Sequence, residues 1–126
     1  MGARRQTVLI VDESGELAVR LEGTMPERQV VKCARGADDA LAVITSLRFD
    51  AIVLHHPTPE ALETLLLPTL AKLPEPPRLM VVADQESCTS IAARFGVMCV
   101  CEPAAPEAIV AAIDLVCERD LRVDRP

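Results

Sequence analysis

The sequence predicts an α/β domain, a parallel sheet covered by helices on both faces, on three observations. Five apolar, β-rich segments alternate with five helix-like segments along the whole chain. The central strand-like runs, residues 7–11 and 51–54, are apolar without interruption, as in strands buried on both faces. Neither a repeat nor a low-complexity linker divides the 126 residues, a length suited to one domain. Parallel neighbours need crossover connections, which are right-handed.

The first strand is expected over 7–11. Ser14 or Glu13 then offers a side-chain cap for a helix reaching about Met25, with Leu17, Leu21 and Met25 spaced four apart. Residues 29–33 form the second strand. Gly36 marks the turn into a helix over 37–47, whose Ala40, Leu41, Ile44 and Leu47 make one stripe. Residues 51–54 are the third strand. Composition favours a helix over 59–73, but Pro68 lies inside it and would remove a hydrogen bond and clash with the preceding turn. Two readings stand there: a helix beginning near Pro68, or a loop over 57–67 followed by a short helix. Pro74-Glu75-Pro76-Pro77 is a stiff connector to a fourth strand at 78–83. A helix over 87–95 stops at Gly96, which suits a left-handed C-terminal position. Residues 97–101 are the fifth strand, and Pro106 opens a last helix to about Leu121. Residues 1–6 read as an arm, 7–121 as the domain and 122–126 as a tail; the chain is either freestanding or part of a longer protein.

Composition excludes several functions. Half the residues are apolar, yet the aromatics are two Phe with no Trp or Tyr, so the core is aliphatic and base-stacking platforms are absent. A net charge of −6 opposes the basic face that duplex binding needs, so no nucleic-acid partner is expected. No apolar run is long enough for a membrane span, and the run after Arg4-Arg5 stops at Asp12, too short for a secretion signal. The expected location is cytoplasmic. Cys33, Cys88, Cys99, Cys101 and Cys117 lack metal-type spacing and read as buried, unreactive thiols.

Ligands of such sheets bind beyond the carboxyl ends of the strands. Those tips carry Asp12-Glu13, His55, Val82 and Glu102-Pro103. Adjacent carboxylates suit a hard cation such as Mg²⁺, so Asp12 and Glu13 are the candidate metal ligands, while His55 in their company suits Zn²⁺ better. No Gly-rich phosphate loop follows Val11, and no aromatics are placed to sandwich a flavin, so no cofactor is expected and a flavodoxin-like enzyme is disfavoured.

VLIVDES at 8–14, ARGADDAL at 34–41, FDAIVLHHPTP at 49–59, PRLMVVA at 77–83 and GVMCVCEP at 96–103 together resemble a response-regulator receiver (CheY-like) domain. The resemblance covers residues 7 to about 121 and implies a flavodoxin-like sheet of order 2-1-3-4-5. In the family an aspartate ends the third strand and accepts phosphate, a Ser or Thr ends the fourth, and a lysine precedes the fifth-strand proline. Here those positions are His55, Val82 and Glu102, and the aromatic switch position is Cys99. Only the acidic pair, Asp12 and Glu13, remains. The resemblance also implies a cis Glu102-Pro103 bond. Phosphoryl acceptance needs an in-line carboxylate with donors and cations on the equatorial oxygens. The chain therefore reads as a degenerate pseudo-receiver, not an enzyme, with His55 a positive tether among carboxylates.

The leading expectation is a phosphorylation-independent protein–protein interaction module in two-component signal transduction. The alternative is a metal-binding receiver with altered phosphorelay chemistry using Asp12 and Glu13. In the last helix, Val110, Cys117 and Leu121 form a second apolar stripe beside Ile109, Ala112, Ile113 and Val116, a candidate partner face for a signalling protein or a second copy.

Overall fold

The computed structural model describes the backbone of residues 5–123 and the side chains of residues 5–118. Strands β1 (Gln6–Val11), β2 (Gln29–Ala34), β3 (Ala51–His55), β4 (Arg78–Asp84) and β5 (Met98–Glu102) alternate with helices α1 (Glu16–Leu21), α2 (Ala37–Ile44), α3 (residues 59–71), α4 (Gln85–Phe95) and α5 (Pro106–Val123). The sheet has the order β2-β1-β3-β4-β5, and every adjacent pair is parallel. This is the flavodoxin-like order expected above.

Period-two alternation sends each strand's side chains to two separate cores. Leu9, Val11, Ile52, Leu54, Val81 and Ala83 pack beneath α2, α3 and α4. Val8, Ile10, Ala51, Val53, Met80 and Val82 pack beneath α1 and α5. Both faces are covered, which is why the central strands carry no polar residue in alternation.

Several expectations change in the structure. Asp12 joins Ser14 in capping α1, and Glu13 does not: the Asp12 Oδ2 accepts the Leu17 N–H at 2.7 Å and the Ser14 hydroxyl accepts the Glu16 N–H at 3.2 Å. The N-cap residue itself is Gly15, at φ 75°, a left-handed conformation that glycine adopts without a steric cost. Helix α1 ends at Leu21 and leaves Met25 outside it. Helix α2 stops at Ile44, so Leu47 leaves the buried stripe and is half exposed.

Neither reading of the Pro68 region holds. Helix α3 runs through the proline as Pro59–Ala61, a π-helical stretch Leu62–Leu66 and Leu67–Ala71. The Leu67 N–H reaches back five residues to the Leu62 carbonyl, and this wider turn precedes the proline. A π-bulge absorbs the local disruption that would otherwise kink or end the helix.

The expected partner face on α5 is also corrected. Val110 and Cys117 are buried among Ile109, Ala112, Ile113 and Val116. Positions 109, 110, 112, 113, 116 and 117 are one wide helical face rather than two stripes, and all of it meets the sheet and α1. Among the described residues of this helix, Leu115 is a large apolar side chain that is exposed, and the Leu121 side chain lies outside the described residues. Of the cysteines, Cys88 and Cys117 are buried as expected, but Cys33 and Cys101 are exposed and Cys99 is half-buried. The three that are not buried lie on β2 and β5, the edges of the sheet.

Candidate functional site

The register of the parallel strands brings their carboxyl ends together. His55 pairs in register with Val82, and Asp84 with Glu102. Around these tips lies a cavity of about 600 Å³ lined by Asp12, Glu13, Ser14, Glu16, Arg20, His55, His56, Asp84, Glu102 and Pro103. Of the residues expected at the site, all but Val82 line this cavity. Val82 is fully buried beside His55 in the core. The Glu102-Pro103 peptide bond is cis.

Asp12, one residue beyond β1, is 6% exposed and nearly saturated with partners. Its Oδ2 holds Leu17, and its Oδ1 accepts from the Ser14 N–H at 3.2 Å and the Ser14 hydroxyl at 3.1 Å. The same Oδ1 lies 3.2 Å from His55 Nδ1. Burial pushes the Asp12 carboxyl up, but the Leu17 N–H, His55 and Ser14 outweigh it and hold it below the ordinary value.

Beyond His55 lies Glu102, which closes the cluster. His55 Nε2 lies 3.1 Å from Glu102 Oε1, so one imidazole spans two carboxylates. Each ring nitrogen of His55 thus faces one carboxylate oxygen.

His56, one residue beyond β3, is exposed, yet its ring also reaches the cluster. Successive strand residues point to opposite faces. His56 instead has φ 51°, and its N–H donates to the Val82 carbonyl at 2.9 Å. A left-handed backbone outside glycine is uncommon, though histidine is among the residues enriched there. With the chain turned this way, His56 Nε2 reaches the same Glu102 Oε1 at 3.0 Å while its ring stays half exposed. The two rings sit edge-to-face, 4.4 Å between centroids.

Arg20 was also missed. Its guanidinium, on α1, pairs with Glu102 Oε2 across 82 residues of sequence. Burial pushes the Glu102 carboxyl up, yet Arg20 first and then the two histidines hold it below its ordinary value. Arg20 lies three positions from Leu17 and one from Leu21, off the buried stripe; only its cationic charge hinted at a role.

No protein-family model matches the sequence, and no curated protein is similar to it. Solved structures are. The receiver domain of Francisella response regulator 1452 has a TM-score of 0.72 at 15% identity, over 92% of this chain and 99% of that one. Vibrio cholerae chemotaxis response regulator CheY4 has a TM-score of 0.69 at 19% identity, over 89% of this chain and 98% of that one. The chain has the receiver fold. A protein from a family of streptococcal redox sensors evolved from two-component response regulators gives 0.68 at 19% identity, over 94% of this chain and 54% of that one.

Within the receiver fold this crevice is degenerate. Imidazole replaces carboxylate at the end of β3, and Val82, its register partner on β4, offers no donor. The cavity wall carries five carboxylates, Asp12, Glu13, Glu16, Asp84 and Glu102, against one guanidinium that is already paired. Such a field repels a phosphoryl group and attracts a cation. Among the described residues, His55, His56 and Glu102 form a set whose ligand atoms all lie within 4.8 Å of one another. Asp12 and Glu13 are not in that set: Asp12 is committed to α1 and His55, and Glu13 is exposed. No helix among the described residues is long and apolar enough to cross a membrane.

Proposed function

We propose that this receiver-fold domain is a non-enzymatic signalling module in which divalent-metal binding replaces aspartyl phosphorylation and output passes by contact with a protein partner. The observation that carries the proposal is the His55, His56 and Glu102 cluster, whose donor atoms lie within 4.8 Å of one another at the crevice. Asp12 and Glu13, the ligands expected from the sequence, take a supporting place: Asp12 behind His55, Glu13 on the rim.

Three losses argue against phosphoryl chemistry. His55 stands in place of the carboxylate nucleophile, Val82 in place of the hydroxyl donor, and Glu102 in place of the cation. Removing a single preorganised donor typically costs about 3 kcal/mol of transition-state stabilisation. Incubation with acetyl phosphate, or with beryllofluoride and Mg²⁺, is expected to leave the amide spectrum unchanged and add no mass. A divalent metal titration is expected to shift amides of the β3–α3 and β5–α5 loops saturably. Covalent phosphate recovered from any crevice side chain would overturn the proposal.

A second reading is favoured by the ion pairs themselves. Arg20, Glu102, His55 and Asp12 form an unbroken line of polar pairs, enough to rigidify the crevice with no ligand. On that reading the domain is a scaffold, phosphorylation-independent and metal-independent. Absence of saturable binding by any divalent metal, with intact partner binding, would select it.

A further inference from the structure

We infer that the ion fitting this crevice is a borderline transition-metal dication, Zn²⁺ foremost, held by His55 Nε2, His56 Nε2 and Glu102 Oε1, with Asp12 as a positioning residue behind His55. The inference deepens the metal-responsive reading above and rests on it.

Donor chemistry comes first. Two imidazoles and one carboxylate are the set that Zn²⁺ and its neighbours take, with three protein ligands leaving further positions open. Mg²⁺ instead wants an octahedron of oxygens, and one carboxylate oxygen between two rings does not supply it. Spacing agrees. Corners of a tetrahedral zinc site lie about 3.4 Å apart, given ligand distances near 2.1 Å. Glu102 Oε1 already stands 3.1 Å from His55 Nε2 and 3.0 Å from His56 Nε2.

The surroundings are those of a supported ligand set. A metal-bound histidine commonly directs its other ring nitrogen to a carboxylate that fixes its tautomer and orientation. His55 Nδ1 does so to Asp12 Oδ1 at 3.2 Å, and Asp12 is itself pinned by the Leu17 and Ser14 N–H groups. Arg20 occupies the far oxygen of Glu102 and leaves Oε1 to the histidines. Half-exposed His56 faces the open side, where water or a partner's side chain can complete the coordination.

The test uses the full chain, with ZnCl₂, MgCl₂ and CaCl₂ titrated separately and followed by calorimetry and histidine ¹⁵N resonances. Exposed Cys33 and Cys101 can also take zinc, so the Cys33→Ser/Cys101→Ser variant is measured alongside. One equivalent of Zn²⁺ is expected to shift both Nε2 resonances in either background, with no shift at millimolar Mg²⁺. His56→Gln and Glu102→Gln are expected to abolish that shift; His56 is half exposed, so its variant should fold. Asp12→Asn is expected to weaken binding about 10–100-fold and to move the His55 Nδ1 resonance in the zinc-bound state, which a purely structural role would not do. Zinc binding that survives His56→Gln, or vanishes in the cysteine variant, would overturn the inference. Crevice binding of Mg²⁺ or Ca²⁺ without Zn²⁺ would sink it while leaving the metal-responsive reading standing. No crevice binding by any of the three sinks both.

Discussion

An imidazole between two carboxylates sets the character of this crevice. If His55 alone had abolished phosphorylation, His55→Asp would restore it. It is expected not to, because Val82 still lacks a donor and Glu102 still repels the incoming group. Mass spectrometry after acetyl phosphate treatment should show no added phosphate on that variant. Asp12 carries a second expectation. Asp12→Ala removes the α1 cap and leaves His55 Nδ1 without its carboxylate, at a cost of about 1–3 kcal/mol read from urea midpoints. Its pH dependence has a definite sign. The folded-state carboxyl lies below the ordinary value of 3.8, so its contribution is full above that value and disappears as pH falls through the lowered one. The midpoint gap between the native chain and Asp12→Asn should therefore shrink on acidification from about pH 6 to about pH 3. His55 was legible in the sequence because ordered strand-like segments located the end of β3. His56 and Arg20 were not. One depends on a single left-handed backbone turn, and the other on a partner far away in the chain.

Elements with regular periodicity were read with small errors at their ends; those whose local chemistry conflicts with their period were not. Helix α3 shows this. Pro68 announced a disturbance, but the remedy, a wider turn with the Leu67 N–H on the Leu62 carbonyl, follows from packing Leu62, Leu66 and Leu70 into one core. The start of that helix is more conventional: the Thr58 hydroxyl accepts the Ala61 N–H at 3.1 Å, with Pro59 in the first turn. Thr58→Ala is expected to cost about 1 kcal/mol, measured by thermal or urea unfolding. Helix α5 reverses an expectation. A carboxylate at Val110 would have disrupted only a partner contact had that residue been on the surface. Because Val110 is buried between helix and sheet, Val110→Asp is expected to destabilise the fold itself by several kcal/mol, visible as a lowered urea midpoint. Two adjacent stripes merge into one broad buried face whenever the helix lies across a sheet, which spacing alone does not reveal.

At the scale of the molecule, alternation and uninterrupted apolar strands were sufficient to predict a parallel sheet with both faces covered. The order of the strands came from the resemblance and agrees with the observed β2-β1-β3-β4-β5. That order converts scattered sequence positions into one crevice, since it sets β1 and β3 side by side and β4 and β5 beyond them. The chemistry there needs residues from both halves of the chain: Asp12 and Arg20 early, His55 and His56 midway, Glu102 late. Arg28 and Asp114 tie the same early and late regions together on the helical side.

The span of the Arg20–Glu102 pair has a consequence for biosynthesis. While the nascent chain leaves the ribosome, both histidines emerge before the glutamate that unites them has been translated. Through that interval β1 and β3 also lack the cover that Ile109 and Ile113 later provide. The crevice is thus assembled only once β5 has emerged, and a polypeptide truncated ahead of β5 would carry the imidazoles without their common carboxylate.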